Sequence, residues 1–145
     1  MWGGVAKVTA KATKGGTTST RVSTNTKNTA GRTTTFNVTS TIPGSVARPA
    51  TEISYDTATG LVTHTKAAGS STSVSRTYDG WGREKTYNND QNEVTSTTYN
   101  TAGQVSSVTD PKGSTTYTYD GDDAKSKTER RGLVTKMTVS RGNGQ

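Results

Sequence analysis

One dipeptide returns along this chain at nearly constant intervals, and that interval limits what the chain can fold into. Tyr55-Asp56, Tyr78-Asp79, Tyr99-Asn100 and Tyr119-Asp120 follow one another at separations of 23, 21 and 20 residues. A glycine comes a few positions later in three of them, at Gly60, Gly82 and Gly103, and Asp123 stands at the matching place in the fourth. Each half-period carries a second turn signal: Ala67-Ala68-Gly69-Ser70, Asn89-Asp90-Gln91-Asn92, Asp110-Pro111-Lys112-Gly113 and Glu129-Arg130-Arg131-Gly132. Self-similarity at such a period marks a repeat architecture, in which each unit is one supersecondary element.

The chemistry of the unit is that of a hairpin. Asp or Asn after the tyrosine bonds the backbone two residues on and opens a turn. Glycine on the far side accepts a positive φ and closes it. Between turns lie runs of about six residues, such as LVTHTK, QVSSVT and STTYTY, rich in β-branched and aromatic types and close to the usual strand length of ~5–6 residues. The same grammar runs upstream in weaker form. Lys27-Asn28-Thr29-Ala30-Gly31-Arg32 matches Tyr99-Asn100-Thr101-Ala102-Gly103-Gln104, and Lys14-Gly15-Gly16 takes the preceding half-turn. The pattern predicts an all-β array of tandem hairpins in a curved or spiralling sheet of about twelve short strands: 5–12, 17–26, 32–39, 50–55, 61–66, 71–78, 83–88, 93–99, 104–109, 114–119, 124–128 and 133–140. No segment has helical periodicity.

Composition decides how such an array is held together. Only 26% of residues are hydrophobic, against ~45–50% (glycine included) in an ordinary globular domain. Phe36 is the one phenylalanine, and Leu61 and Leu133 are the two leucines. No compact core can be built from that supply. With 32 Thr and 15 Ser, a sheet polar on both faces is expected, stabilised by its ladder bonds and by cross-strand Thr and Tyr pairs.

Charge is placed unevenly. Residues 1–51 hold Lys7, Lys11, Lys14, Arg21, Lys27, Arg32 and Arg48 with no acid before Glu52, and from Glu52 onward eleven basic and eleven acidic residues cancel. The whole net charge of +7 therefore sits in the first third, as a solvated basic flank or as an end that faces an anionic polymer. Three segments follow: a basic, degenerate repeat segment at 1–52 with a Pro-containing loop at 40–49, the array proper at 53–140, and a tail at 141–145.

Several chemistries find little footing. There is no cysteine, which excludes disulfides and removes the clusters that zinc requires. His64 is the only histidine, and nothing marks a nucleophile or an orienting acid around it. Asp120-Gly121-Asp122-Asp123 is the densest acidic cluster, but it falls where the repeat already needs a turn, and it lacks EF-hand spacing. Neither a phosphate-cradling glycine loop nor a recognised nucleic-acid motif is present. No catalytic residue, cofactor or metal is expected. No apolar run approaches the ~18 residues of a membrane span. The start, MWGGVAKVTAKATKGG, has no apolar h-region, so export would rest on a signal that was removed or belongs to a longer precursor.

The stretches TYDGWGREKTY (77–87), TTYNTAGQVSSVTDPKGSTTYTYDG (97–121) and ERRGLVTKM (129–137) resemble the Rhs/YD-repeat family, and the last is similar to its actinomycete members. The resemblance covers 53–140 well and 17–52 poorly. It implies a strip of hairpins that spirals into a hollow shell, as in Rhs proteins, toxin complexes and teneurins, where bacterial shells enclose a toxin. Other members are cell-surface or wall-associated. Twelve strands at ~4.8 Å make a strip about 58 Å wide, or a ring about 18 Å across, too narrow to enclose a folded toxin without more chain or more copies. With its four clear repeats the chain looks like part of a longer array. The expectation is a non-catalytic structural segment of a secreted or cell-surface YD-repeat protein, with other YD repeats as partners. A self-assembling extracellular fibre is the first alternative. A glycan or cell-wall binding module using Trp2 and Trp81 is the second. Tyr55, Asp56, Gly60, Tyr78, Asp79, Gly82, Arg83, Tyr99, Asn100, Gly103, Tyr119 and Asp120 are the residues expected to build the repeat.

Overall fold

A computed structural model describes residues 6–120 and 132–142. Every regular element among them is a strand. The chain divides into two units, Met1–Ser73 and Val74–Gln145.

The first unit holds β1 (Lys7–Lys14), β2 (Thr17–Lys27), β3 (Thr33–Ser40), β4 (Thr51–Tyr55) and β5 (Val62–Ala67). Each pairs antiparallel with the next. The second holds β6 (Val74–Tyr78), β7 (Glu84–Asn88), β8 (Val94–Tyr99), β9 (Val105–Asp110), β10 (Gly113–Tyr119) and β11 (Val134–Arg141), again paired antiparallel in sequence order. Tandem hairpins are the simplest way for consecutive short strands to satisfy their backbone groups.

No described residue is buried, so the described residues form no apolar core. The ladders are reinforced instead by side chains that meet across strands. Hydroxyls pair between Thr13 and Thr18 at 2.9 Å, between Thr77 and Thr86, and between Thr98 and Ser107 at 2.7 Å. Such pairs contribute roughly 0.2–1 kcal/mol each. Ion pairs of Lys66 with Glu52 (3.4 Å) and Arg76 with Glu84 (3.3 Å) are partly solvated and add little.

One difference from the sequence reading concerns the last repeat. The sequence predicts a strand at 124–128 after the one ending at Tyr119, with Asp123 in the closing-glycine position. Residues 121–131 lie outside the described residues, but the place beside β10 belongs to β11, with Tyr119 opposite Val134 and Tyr117 opposite Met137. The backbone N–H of Asp120 donates to the Leu133 carbonyl at 2.9 Å, and Gly132, at φ 73°, fills the glycine position. Gly132-Leu133-Val134-Thr135 thus repeats Gly60-Leu61-Val62-Thr63. The tyrosine spacing is nearly constant, whereas this turn carries additional residues between its aspartate and its glycine.

Candidate functional site

The repeated feature is a five-residue Asx turn, found at 28–32, 79–83 and 100–104. Its first residue, Asn28, Asp79 or Asn100, donates its N–H to the carbonyl of the fifth and accepts from the N–H of the fourth, at 2.9–3.0 Å. The side-chain Oδ1 of that first residue accepts two further N–H groups, those of the third and fifth residues, at 2.9–3.1 Å. One carboxyl or amide oxygen therefore satisfies two turn donors that hairpin pairing leaves over. The fourth residue, Gly31, Gly82 or Gly103, has φ of 76–84°, a region that residues with a Cβ seldom enter. The turn at 56–61 is one residue longer. Asp56 Oδ1 accepts from the N–H groups of Ala58 and Thr59 and from the Thr59 hydroxyl.

The half-period turn at 89–93 has the same bonds. Asn89 Oδ1 accepts from Gln91 and Glu93 at 2.9 Å, and Asn92 takes the left-handed position at φ 62°. Asparagine tolerates that position better than other non-glycine residues do.

The tyrosines close the strands that lead into the turns. Tyr55, Tyr78, Tyr99 and Tyr119 are the last residues of β4, β6, β8 and β10. In each case the ladder register shifts immediately before the tyrosine, and Lys27 has the same irregularity at the end of β2. A bulge of this kind re-aims the side chain that follows it. The hydroxyls of Tyr55, Tyr99 and Tyr119 donate to the carbonyls of Thr33, Glu84 and Val105 at 2.7–2.8 Å. Those acceptors lie opposite Lys27, Tyr78 and Tyr99, one repeat earlier.

The fifth turn residue reaches in the opposite direction. Arg83 is held by Asp79, with Nε and Nη2 at 2.7 and 2.6 Å from Oδ2. Its guanidinium carbon lies 4.1 Å from the ring centre of Tyr99 in the next repeat. Arg32 stands over Tyr55 at 5.8 Å. Gln104 donates through Nε2 to the Gly132 carbonyl at 3.2 Å. The next turn's glycine leaves room for each of these side chains. A Cβ at Gly60 would collide with the Arg32 guanidinium, one at Gly103 would lie 3.2 Å from Arg83, and one at Gly132 would lie 2.9 Å from Gln104. The turns that end at Arg32, Arg83 and Gln104 therefore reach the next repeat through an Arg or Gln laid on a tyrosine or a turn glycine, and the hydroxyls of Tyr55, Tyr99 and Tyr119 reach back.

Residues 99–143, which begin at one of these tyrosines and include the Asn100 turn, match the RHS Repeat family model. The chain carries an RHS repeat. The geometry explains why these residues return together: the tyrosine, the Asx residue, the glycine and the following Arg or Gln make one set of contacts that spans two repeats. No curated protein matches the chain.

The remaining expected residues are dispersed. Trp81 sits at the tip of the 79–83 turn and is 86% exposed. Trp2 and the acids Asp122 and Asp123 lie outside the described residues. His64 is exposed on β5, opposite Ser54. Among the described residues no cluster of three His, Asp or Glu side chains is gathered to hold a metal, and no helix is long and apolar enough to cross a membrane. The reach of Arg32, Arg83 and Gln104 into the next repeat leaves no signal in the sequence. Their spacing to the following tyrosine, 23 residues from Arg32 to Tyr55 and 16 from Arg83 to Tyr99, is too irregular to signal it.

Two of the turns predict a pH response. Burial pushes the Asp79 carboxyl up, but the Arg83 guanidinium and the turn N–H groups outweigh it and hold the group below the ordinary value. The backbone N–H and hydroxyl of Thr59 lower Asp56. A depressed carboxyl stabilises the fold above its unfolded value, ~3.9, and loses that contribution as pH falls through the folded value. Proton-coupled shifts of the Thr59 and Arg83 amides are expected in NMR titrations below about pH 4. Arg32 and Gln104, whose turns are capped by neutral Asn28 and Asn100, are expected to stay still. Equal movement in all four turns would show that the carboxylates are not the cause.

Proposed function

We propose that this chain is a structural repeat segment of a secreted or cell-surface protein, and that its work is to build sheet wall rather than to catalyse a reaction. The observation that supports this is the contact between repeats: Arg32, Arg83 and Gln104, the side chains that end three of the turns, are spent on the neighbouring hairpin. In this reading residues 1–52 are a basic, degenerate version of the repeat. The turn at 28–32, which has the bonds of the later ones, supports that view. Residues 53–140 are the array proper and 141–145 a tail. The partners are further YD repeats, in the same chain or another, and enough of them together would enclose a shell.

The outer sides of β1 and β11 carry no strand among the described residues. An open edge is a template for pairing, and this favours a second reading, assembly of copies into a fibre. The purified chain is expected to sediment in a concentration-dependent way, with its β signal in circular dichroism strongest in the larger species. A monodisperse monomer with a full, cooperative β signal would show a self-sufficient domain and remove the need for neighbours. A surface glycan contact at Trp81 is supported only by that side chain's exposure. Tryptophan fluorescence against wall oligosaccharides, with Trp81→Ala as the control, tests it separately.

A further inference from the structure

We infer that the first unit carries a binding groove for an extended acidic peptide with interspersed apolar side chains. The groove lies on one face of β1–β3 beneath the 41–50 loop. Register places Ala10, Ala12 and Lys14 of β1 opposite Arg21, Ser19 and Thr17 of β2. Arg21 is in turn opposite Ser40 of β3, and alternation adds Val38 and Phe36 to the same face.

The loop above this face is fixed by its own bonds. The Thr41 backbone N–H donates to the Thr20 carbonyl at 2.9 Å, and the Thr41 hydroxyl accepts from the Thr20 N–H at 2.8 Å. Ile42-Pro43-Gly44-Ser45 closes on itself through a 3.0 Å bond from the Ser45 N–H to the Ile42 carbonyl. Pro at the second position and Gly44 at φ 78° are the residues a type II turn requires. Between loop and sheet lies a groove of 790 Å³ that Arg21, Phe36, Val38, Ile42, Val46 and Arg48 help to line. It is continued on the other side of Ile42 by a second of 640 Å³ that reaches Lys14 and again includes Arg21.

Two features of this groove point to an occupant. Apolar side chains are left in water along it: Phe36 is 41% exposed, Ile42 48% and Val46 85%. Lys14, Arg21 and Arg48 have no ion-pair partner among the described residues, and no acid occurs in the sequence before Glu52. Glu52 lies on the opposite face, opposite Thr35 and paired with Lys66. Cations set over an apolar floor complement a strand that alternates carboxylates with apolar side chains, since arginine binds carboxylate in a two-pronged fork. A nucleic acid would call for stacking rings along the track, and among the described residues Phe36 is the only aromatic ring lining either groove.

The test uses the full chain and a fluorescent eight-residue peptide of alternating Glu and Leu, read by anisotropy. Binding is expected, and it should weaken as salt rises. Arg21→Glu with Arg48→Glu should weaken it by about tenfold or more, while Lys85→Glu with Lys112→Glu, an equal change of net charge in the second unit, should leave it within about twofold. Circular dichroism confirms that both double variants keep their strands. Phe36→Ser is expected to weaken binding while leaving charge untouched. The inference is overturned if a Glu-Ser peptide binds as well as Glu-Leu, if both charge reversals act alike, or if a sulfated glycan or an oligonucleotide competes for Arg21 and Arg48 more tightly than the peptide does.

Discussion

Replacing Gly113 with alanine is expected to free the end of β11 from β10. Gly113 pairs with Arg141 and has φ 151°. A Cβ there would run into the Ser140 carbonyl oxygen and lie 2.9 Å from the Arg141 Cα. Both obstacles are backbone, so no side-chain rotation relieves them. Strain and lost pairing together are expected to cost about 2–3 kcal/mol. Hydrogen exchange at Ser140 and Thr138 reads the result directly, and unchanged protection there would show that the strands can separate slightly without penalty. Gly31→Asn is the contrast. Gly31 also has a positive φ, but a Cβ there meets nothing within 4 Å, and asparagine already occupies the same conformation at Asn92. Its expected cost is below about 1 kcal/mol.

Tyr99 is expected to be the most sensitive side chain of the second unit. Tyr99→Phe removes the bond to the Glu84 carbonyl and should cost about 1 kcal/mol. Tyr99→Ala also removes the surface on which Arg83 rests, and the total should reach about 3 kcal/mol from hydrogen bond, ring contact and cation–π attraction. Denaturant unfolding of the two variants separates these parts. A double-mutant cycle with Arg83→Ala should return a coupling of about 0.5–1 kcal/mol. Strict additivity would mean that Arg83 and Tyr99 are neighbours without being partners, and the contact between repeats would lose its energetic basis.

What could be read in the sequence was whatever a single turn dictates to itself. Asp79, Gly82 and their counterparts announce their roles because an Asx oxygen and a positive φ are local requirements. Lys27-Asn28-Thr29-Ala30-Gly31-Arg32 could be recognised for the same reason, despite its missing tyrosine. Contacts between hairpins could not be read, because the span from Arg83 to Tyr99 depends on strand and turn lengths that vary from repeat to repeat. The last turn was misread through a related error. Gly121-Asp122-Asp123 offers good turn chemistry at the expected distance, so the pairing of Asp120 with Leu133 was hidden behind a nearer and equally plausible partner. The groove combines both kinds of information. Its charges and its proline loop were visible separately, but only strand register brings Arg21, Phe36 and Ile42 to one place.

The turn that ends at Gly132 also bears on how such chains can change. Asp56 and Gly60 are separated by three residues, and Asp120 and Gly132 by eleven. In both turns the aspartate N–H meets the carbonyl of the residue after the glycine. The extra length leaves the pairing beyond it intact, and closing a loop longer by that ratio costs only about 1 kcal/mol. The tips of these hairpins are therefore ports where foreign sequence can be spliced in without rewriting the sheet. The Asx oxygen and the glycine keep the reading frame of the strands while the chain between them lengthens.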